Sequence, residues 1–128
     1  FDDVHDAALR VLVDGLRSLG ALSMPAPEVI EKAAYRPFYM HRTSHWLGMD
    51  VHDVGKYRLD DKPRVLAPGM VLTVEPGLYF SSSVDDGAAR FRGIGVRIED
   101  DVLVTEAGHE VLTAEIPKDA AEVERLAR

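Results

Sequence analysis

An acidic residue ends the most apolar run of the chain, in the sequence VLTVEPG of residues 71–77. Both faces of residues 71–74 are mostly apolar, which predicts a central strand buried on its two sides. Pro76 and Gly77 then end or kink the strand. The carboxylate of Glu75 would therefore be buried, and an isolated buried carboxylate is costly unless a cation or a strong set of hydrogen bonds compensates it.

Glu99 repeats this arrangement in the sequence GVRIE of residues 95–99. In an extended segment the two apolar side chains face one side, while those of Arg97 and Glu99 face the other. A salt bridge to Arg97 is the structural alternative for Glu99. For Glu75 the alternative is a side chain that faces the turn and caps the Pro-Gly bend.

Three of the five histidines lie in HRTSHWLGMDVHD, residues 41–53. His41 and His45 have the spacing of the zinc-binding motif H-E-x-x-H, but Arg42 replaces its glutamate, and Trp46 and Gly48 disfavour a helix. That motif is excluded. Strand-end histidines that bond only to the backbone are the simpler alternative. With two acidic residues at the ends of apolar strands and no cysteine, however, the cluster favours a divalent-metal site with mixed oxygen and nitrogen ligands.

Composition limits the classes of partner. The 128 residues fit one domain, and the net charge of −7 argues against nucleic acid or an anionic membrane, since both favour a basic surface. The chain has no cysteine and no apolar run near the roughly 20 residues of a membrane span, so we expect a cytoplasmic protein. Phe1 is not a methionine, and we expect the chain to be a piece of a longer protein.

The order of elements predicts an α+β fold. Apolar residues at helical spacing predict a helix over about residues 3–19 with Gly20 as its C-cap, and a short helix near Pro27 follows. An antiparallel meander and a closing helix come next. Residues 81–91 are polar and predict an exposed loop. The predicted strands lie in residues 70–80, in residues 94–105 as two strands that meet around Asp100 and Asp101, and in residues 107–113.

Three blocks in this order, HRTSHWLGMDVHD, LAPGMVLTVEPGLYF and RGIGVRIEDDVLVTEAGHEVLT, resemble the pita-bread metallopeptidases. Within that family the resemblance is strongest to the bacterial Xaa-Pro aminopeptidases, and it runs from about Phe38 to Thr113. It implies that residues 1–128 are the C-terminal portion of a pita-bread (creatinase/aminopeptidase) catalytic domain, an antiparallel sheet covered by helices.

The resemblance also implies a set of metal ligands. His45 matches the single metal-binding histidine of the family, Glu75 the terminal carboxylate ligand, and Glu99 the carboxylate that bridges two metals.

The two histidines that lie outside the cluster, His5 and His109, match no position of the family's pattern, and we expect both to be exposed to solvent.

Four further residues match pocket positions of the family. His41 and His52 resemble histidines that line the pocket and hydrogen-bond substrate without binding metal. Tyr79 and Arg97 resemble residues that order the carboxylates and histidines.

The chain departs from the family in one respect. The family's site has five protein ligands, and two of them are aspartates on a strand hairpin further upstream. The aspartates near the start of this chain, such as Asp2 and Asp14, belong to the predicted first helix. We therefore expect the first ligand hairpin and the N-terminal domain to lie outside residues 1–128. The chain alone is expected to bind at most one metal ion, weakly, to lack peptidase activity, and to form a homo-oligomer through an open sheet edge.

For the intact protein the resemblance implies metal-dependent hydrolysis of the N-terminal Xaa-Pro peptide bond. The substrate would be a peptide with proline at its second position, and the cofactor a pair of divalent ions, with manganese favoured. Two alternatives stay open. One is a related hydrolase such as a prolidase or a methionine aminopeptidase, and the other is a non-enzymatic pita-bread module used for binding.

Overall fold

Two helices open the chain in the computed structural model, which describes residues 1–128 apart from the side chain of Asp86. Helix α1 (Asp2–Ser18) has acidic residues in its first turn and buries Val13 and Leu16 completely. It ends where Gly20 adopts φ 77°, a left-handed conformation that glycine adopts at little cost. Helix α2 (Ala26–Glu31) has proline in its first turn. Both predicted helices are confirmed.

The strands form antiparallel pairs, but their order is not that of a meander. Strand β3 (Val71–Val74) pairs with β6 (Asp100–Thr105), β4 (Gly77–Tyr79) pairs with β5 (Gly95–Arg97), and β7 (Gly108–Val111) pairs with the other edge of β6. The predicted meander is wrong because Pro76 bends the chain without reversing it. Ile98 donates its N–H to the Pro76 carbonyl at 3.3 Å, so residues 71–79 and 95–105 form one long bent hairpin.

Strand β3 is the central strand of this arrangement. An extended segment, residues 43–47, lies along its second edge. Thr73 donates its N–H to the His45 carbonyl at 3.0 Å, and Glu75 donates its N–H to the Thr43 carbonyl at 2.8 Å. Leu72 and Thr73 are almost fully buried. The predicted central, buried strand is therefore confirmed.

A second, smaller hairpin was not predicted. Strands β1 (Arg58–Leu59) and β2 (Lys62–Pro63) pair through a tight turn in which Asp60 and Asp61 have positive φ values of 49° and 60°. Two consecutive left-handed residues are typical of the short hairpin turns that aspartate tolerates. The Asp-Asp pair was the available signal, but the flanking residues are exposed and show no apolar alternation.

The predicted exposed loop over residues 81–91 is partly wrong. A 3₁₀ helix (Asp86–Phe91) lies in this stretch, and Val84 and Ala88 are buried in a cluster with Leu16 of α1. Two small apolar side chains are sufficient to fix the segment to the core, although its composition is polar. The closing helix is confirmed as α3 (Ala120–Leu126). The helices described here include none with the length and apolarity that crossing a membrane requires.

His5 is buried, which contradicts its predicted exposure, whereas His109 is exposed as predicted. The reason lies in a partner far along the chain. His5 Nδ1 is 2.9 Å from the Thr43 hydroxyl and accepts the Thr43 N–H at 3.3 Å. Burial, followed by the nearby charge of Arg42, lowers the pKa of the His5 ring.

We expect His5 to make the free energy of unfolding depend on pH in the mildly acidic range. Its folded pKa lies below the unfolded value of about 6.5, so its stabilising contribution is complete above that value and is lost as pH falls toward the folded pKa. Urea unfolding between about pH 8 and 5 measures this loss. His5→Asn keeps an acceptor without a titrating group and should have a flatter profile. Identical profiles for the two proteins would contradict the assignment.

Candidate metal centre

His45 presents one free ring nitrogen to the interior of the bent hairpin. Its Nδ1 lies 2.9 Å from the Trp46 carbonyl, and because a carbonyl can only accept, Nδ1 carries the proton. In the neutral ring Nε2 then holds the free lone pair, and it lies 3.2 Å from Glu75 Oε1. Metal-binding histidines are commonly oriented in this way, by donation of the other ring N–H to a carbonyl.

Glu75 directly follows β3 and is only 9% exposed. The Thr73 hydroxyl donates to Glu75 Oε1 at 3.0 Å and accepts the N–H of His45 at 3.1 Å. Thr73 and Glu75 are two residues apart, so their side chains share one face of the extended chain. The threonine therefore links the backbone of His45 to the carboxylate of Glu75.

Glu99 lies across the hairpin from Glu75. The flanking pairs, Val74 with Asp100 and Gly77 with Arg97, define a register in which Glu75 is opposite Glu99. Two like charges directly opposite each other are destabilising. The Arg97 guanidinium is 3.3 Å from Glu99 and 3.6 Å from Glu75, so it partly compensates both carboxylates. It is about half exposed, which weakens that compensation.

Three potential ligands thus converge. His45, Glu75 and Glu99 each offer one ligand atom, and these three atoms lie within 4.8 Å of one another. The donors are an imidazole nitrogen whose lone pair faces a carboxylate and two acidic side chains in opposition. Divalent ions that accept nitrogen and oxygen ligands suit this donor set, and a cation at this point would relieve the repulsion. The three residues therefore fit a metal ion.

The other predicted site residues form two groups of contacts. His41 donates from Nδ1 to the Arg42 carbonyl at 2.8 Å, so its Nε2 accepts the Tyr79 hydroxyl at 2.9 Å. His52 is exposed, and its ring lies edge-on to that of His45 with centroids 4.3 Å apart. His52 thus lies beside the three potential ligands, whereas His41 and Tyr79 form a separate pair.

Two residues at this site were not identified from the sequence. Thr73 is the one polar residue within the apolar run 71–74, on the same face as Glu75, and that alternation was the available signal. Gly77 was interpreted only as part of a bend. A Cβ atom at Gly77 would lie 2.7 Å from the Tyr79 hydroxyl, so a larger residue would displace the tyrosine that contacts His41.

An imidazole and two carboxylates that converge on a bent antiparallel hairpin are typical of a metal-dependent hydrolase. Residues 1–106 match Metallopeptidase family M24, and the chain belongs to that family.

The relatives also share the fold. The Xaa-Pro aminopeptidase of Haemophilus influenzae is 51% identical over 122 residues, which are 95% of this chain and 28% of that protein. The solved aminopeptidase PepP of Pseudomonas aeruginosa superposes with a TM-score of 0.92 at 54% identity, over 98% of this chain and 28% of that one. A variant of Escherichia coli aminopeptidase P in complex with substrate has a TM-score of 0.84 at 52% identity, over 92% and 26%. The chain thus spans little more than a quarter of these proteins, and the α+β, pita-bread fold is confirmed.

Thr73→Val should lower the free energy of unfolding by about 1–3 kcal/mol, because it leaves the His45 N–H and one Glu75 oxygen without their buried partner. Thr73→Ser keeps the hydroxyl and should be the more stable of the two variants. Urea denaturation monitored by the fluorescence of Trp46 measures both. A valine variant at least as stable as the serine variant would show that the hydroxyl contributes nothing.

Proposed function

We propose that this chain provides part of the active site of an Xaa-Pro aminopeptidase, which hydrolyses the peptide bond between the first residue of a peptide and a following proline. The observation that carries the proposal is the convergence of His45, Glu75 and Glu99 within 4.8 Å. Sequence similarity supports the same conclusion, because the chain is about half identical to Xaa-Pro aminopeptidases over nearly its whole length. The solved complexes of the related Escherichia coli enzyme, one with its substrate and one with the inhibitor Pro-Leu, favour a peptide as the ligand.

His45 Nε2 and the carboxylates of Glu75 and Glu99 would hold a divalent ion. Such an ion polarises a carbonyl group and lowers the pKa of a bound water. Thr73 and the Trp46 carbonyl would fix two of the ligands, since they already bond to the Glu75 carboxylate and the His45 ring. Ligands oriented in advance lose less conformational entropy when they bind an ion.

His41 and His52 would act on the substrate and not on the ion. The bond from His41 Nδ1–H to the Arg42 carbonyl directs Nε2 toward the Tyr79 hydroxyl, and this pair could hydrogen-bond a substrate. His52 lies at the exposed side of His45, where it could hydrogen-bond the developing oxyanion or the departing imide nitrogen. Arg97 would keep Glu75 and Glu99 oriented toward each other.

Several finer assignments stay predictions that rest on the resemblance and on composition. They are manganese as the ion, a second ion bridged by Glu99 and held by two aspartates of the family pattern, a homo-oligomer as the working form, and the cytoplasm as the compartment. Three ligands alone satisfy one ion at most.

Titration of the chain with Mn²⁺ should therefore show at most one weakly bound ion per chain. Glu75→Gln, Glu99→Gln and His45→Ala each remove one ligand and should each raise the dissociation constant at least about tenfold. Isothermal titration calorimetry measures both quantities. His109→Ala, which removes an exposed histidine on β7, is the matched control and should bind as the unaltered chain does. Binding that survives loss of both carboxylates would refute the ligand assignment.

In an active protein that contains this chain, His41→Ala and His52→Ala should each lower kcat about a hundredfold, the usual size of a lost proton-transfer or hydrogen-bonding group. Metal content should stay close to that of the unaltered enzyme, because neither residue is proposed as a ligand. Hydrolysis of an Xaa-Pro peptide and elemental analysis measure the two effects. His45→Ala is the comparison, since it should lose metal and activity together. Loss of metal in either pocket variant would show that its role is wrong.

A further inference from the structure

His5 takes no part in the proposed chemistry, yet it ends a directed chain of hydrogen bonds. A peptide N–H can only donate, so the bond from the Thr43 N–H makes His5 Nδ1 the acceptor nitrogen. The Thr43 hydroxyl then donates to Nδ1 at 2.9 Å and accepts from the Tyr39 hydroxyl at 2.6 Å. The chain thus runs in one direction, from Tyr39 through Thr43 to His5.

All members of this chain are buried. Thr43 is 0% exposed and Tyr39 1%, and the rings of Tyr39 and His5 stack with centroids 5.7 Å apart. Buried polar groups that have all their partners hold one geometry, whereas loss of one partner leaves the others unpaired at a cost. Hydrogen bonds are also directional, unlike apolar contacts. The cluster therefore fixes the position of Thr43 against α1.

Thr43 in turn belongs to one of the three segments that carry the potential ligands and contacts a second. It lies two residues before His45 in the extended segment 43–47, and its carbonyl accepts the N–H of Glu75 at 2.8 Å. A displacement of Thr43 would move the His45 segment along β3 and change the 3.2 Å separation between His45 Nε2 and Glu75 Oε1.

We infer that Tyr39, Thr43 and His5 are positioning residues, which anchor the His45 segment to helix α1 and hold it in register with Glu75. The inference rests on the proposed function, because it assigns the cluster to the geometry of the same metal site. A cluster that only filled the core would stabilise the fold without affecting the ligands.

Two pairs of variants separate these roles. Thr43→Val removes the hydroxyl while keeping the side-chain shape, and Thr43→Ser retains it. His5→Ala removes the acceptor, and His5→Asn restores one. In calorimetric titration with Mn²⁺, the valine and alanine variants should bind about tenfold more weakly, while the serine and asparagine variants should bind as the unaltered chain does.

Val84→Ala is the control for stability. Val84 is buried in the cluster that contains Phe80 and Ala88, which does not include the residues of the hydrogen-bond chain. The variant should lose stability without a change in the Mn²⁺ dissociation constant. All titrations belong at a temperature at which urea curves show every variant to be folded.

A second measurement needs no metal. Amide hydrogen exchange, followed by NMR on the metal-free chain, should be at least about tenfold faster at Glu75 and Thr73 in Thr43→Val than in Thr43→Ser. The amides that pair β6 with β7 should exchange equally in both variants, because these strands lie on the far side of β3 from Thr43.

The outcomes separate the inference from the proposed function. If the unaltered chain binds Mn²⁺ through Glu75 and Glu99, the affinity of Thr43→Val decides, and an unchanged affinity overturns the positioning role while the metal site stands. If the unaltered chain does not bind Mn²⁺, the titration lends no support to the proposed site, and the exchange rate of the Glu75 amide alone decides on the positioning role. Unaltered exchange there would overturn the inference.

Discussion

The carboxylate of Glu75 is the constraint on which the rest of the site depends. A charge that is nine-tenths buried at the end of an apolar strand requires partners from several directions. Thr73 donates its hydroxyl from the same strand, and Arg97 of β5 provides a guanidinium from the other arm of the hairpin. The acceptor nitrogen of His45 faces the carboxylate from segment 43–47, so a cation between the two would complete the compensation. The polar groups around this carboxylate thus come from β3, from β5 and from segment 43–47.

The bend at Pro76 explains why a second carboxylate lies there as well. Proline interrupts regular pairing, and the opposite strand is interrupted at the same level, between β5 and β6. Glu75 and Glu99 occupy that interruption face to face. An uninterrupted ladder would bring them just as close, but the bend turns the two halves of the hairpin away from each other and leaves their side chains room to converge with His45 on one point. The repulsion between the two carboxylates is tolerable only beside cations such as the Arg97 guanidinium. A regular apolar sheet would need no such cation.

The periodicity of apolar residues predicted those features of the fold that depend on residues close together in the sequence. The helices, the buried strand and the shared face of Arg97 and Glu99 follow from periodicity, and motif resemblance led to the three potential ligands. Prediction failed where a partner is distant in sequence. His5 is buried because Thr43 lies 38 positions further along the chain, and the polar stretch at residues 81–91 is fixed by packing of Val84 on α1. The pairing of β3 with β6 likewise depends on whether Pro76 turns the chain or only bends it, which composition does not decide.

Helix α1 carries none of the potential ligands. It affects their positions through His5, which contacts Thr43 in the segment of His45. The ligand atoms lie on segments joined by backbone hydrogen bonds, so their approximate spacing is inherent in the sheet. The edge of segment 43–47 that faces away from β3 is not paired with a strand, and Trp46 is held there by the Asp53 N–H, which its carbonyl accepts at 3.0 Å, and by the Tyr57 hydroxyl, which accepts its N–H at 3.3 Å. Thr43 adds an anchor at the start of the segment through its hydrogen bonds to His5 of α1. A short polar contact between a helix and an edge segment can therefore contribute to the geometry of a metal site although neither residue of the contact would touch the ion.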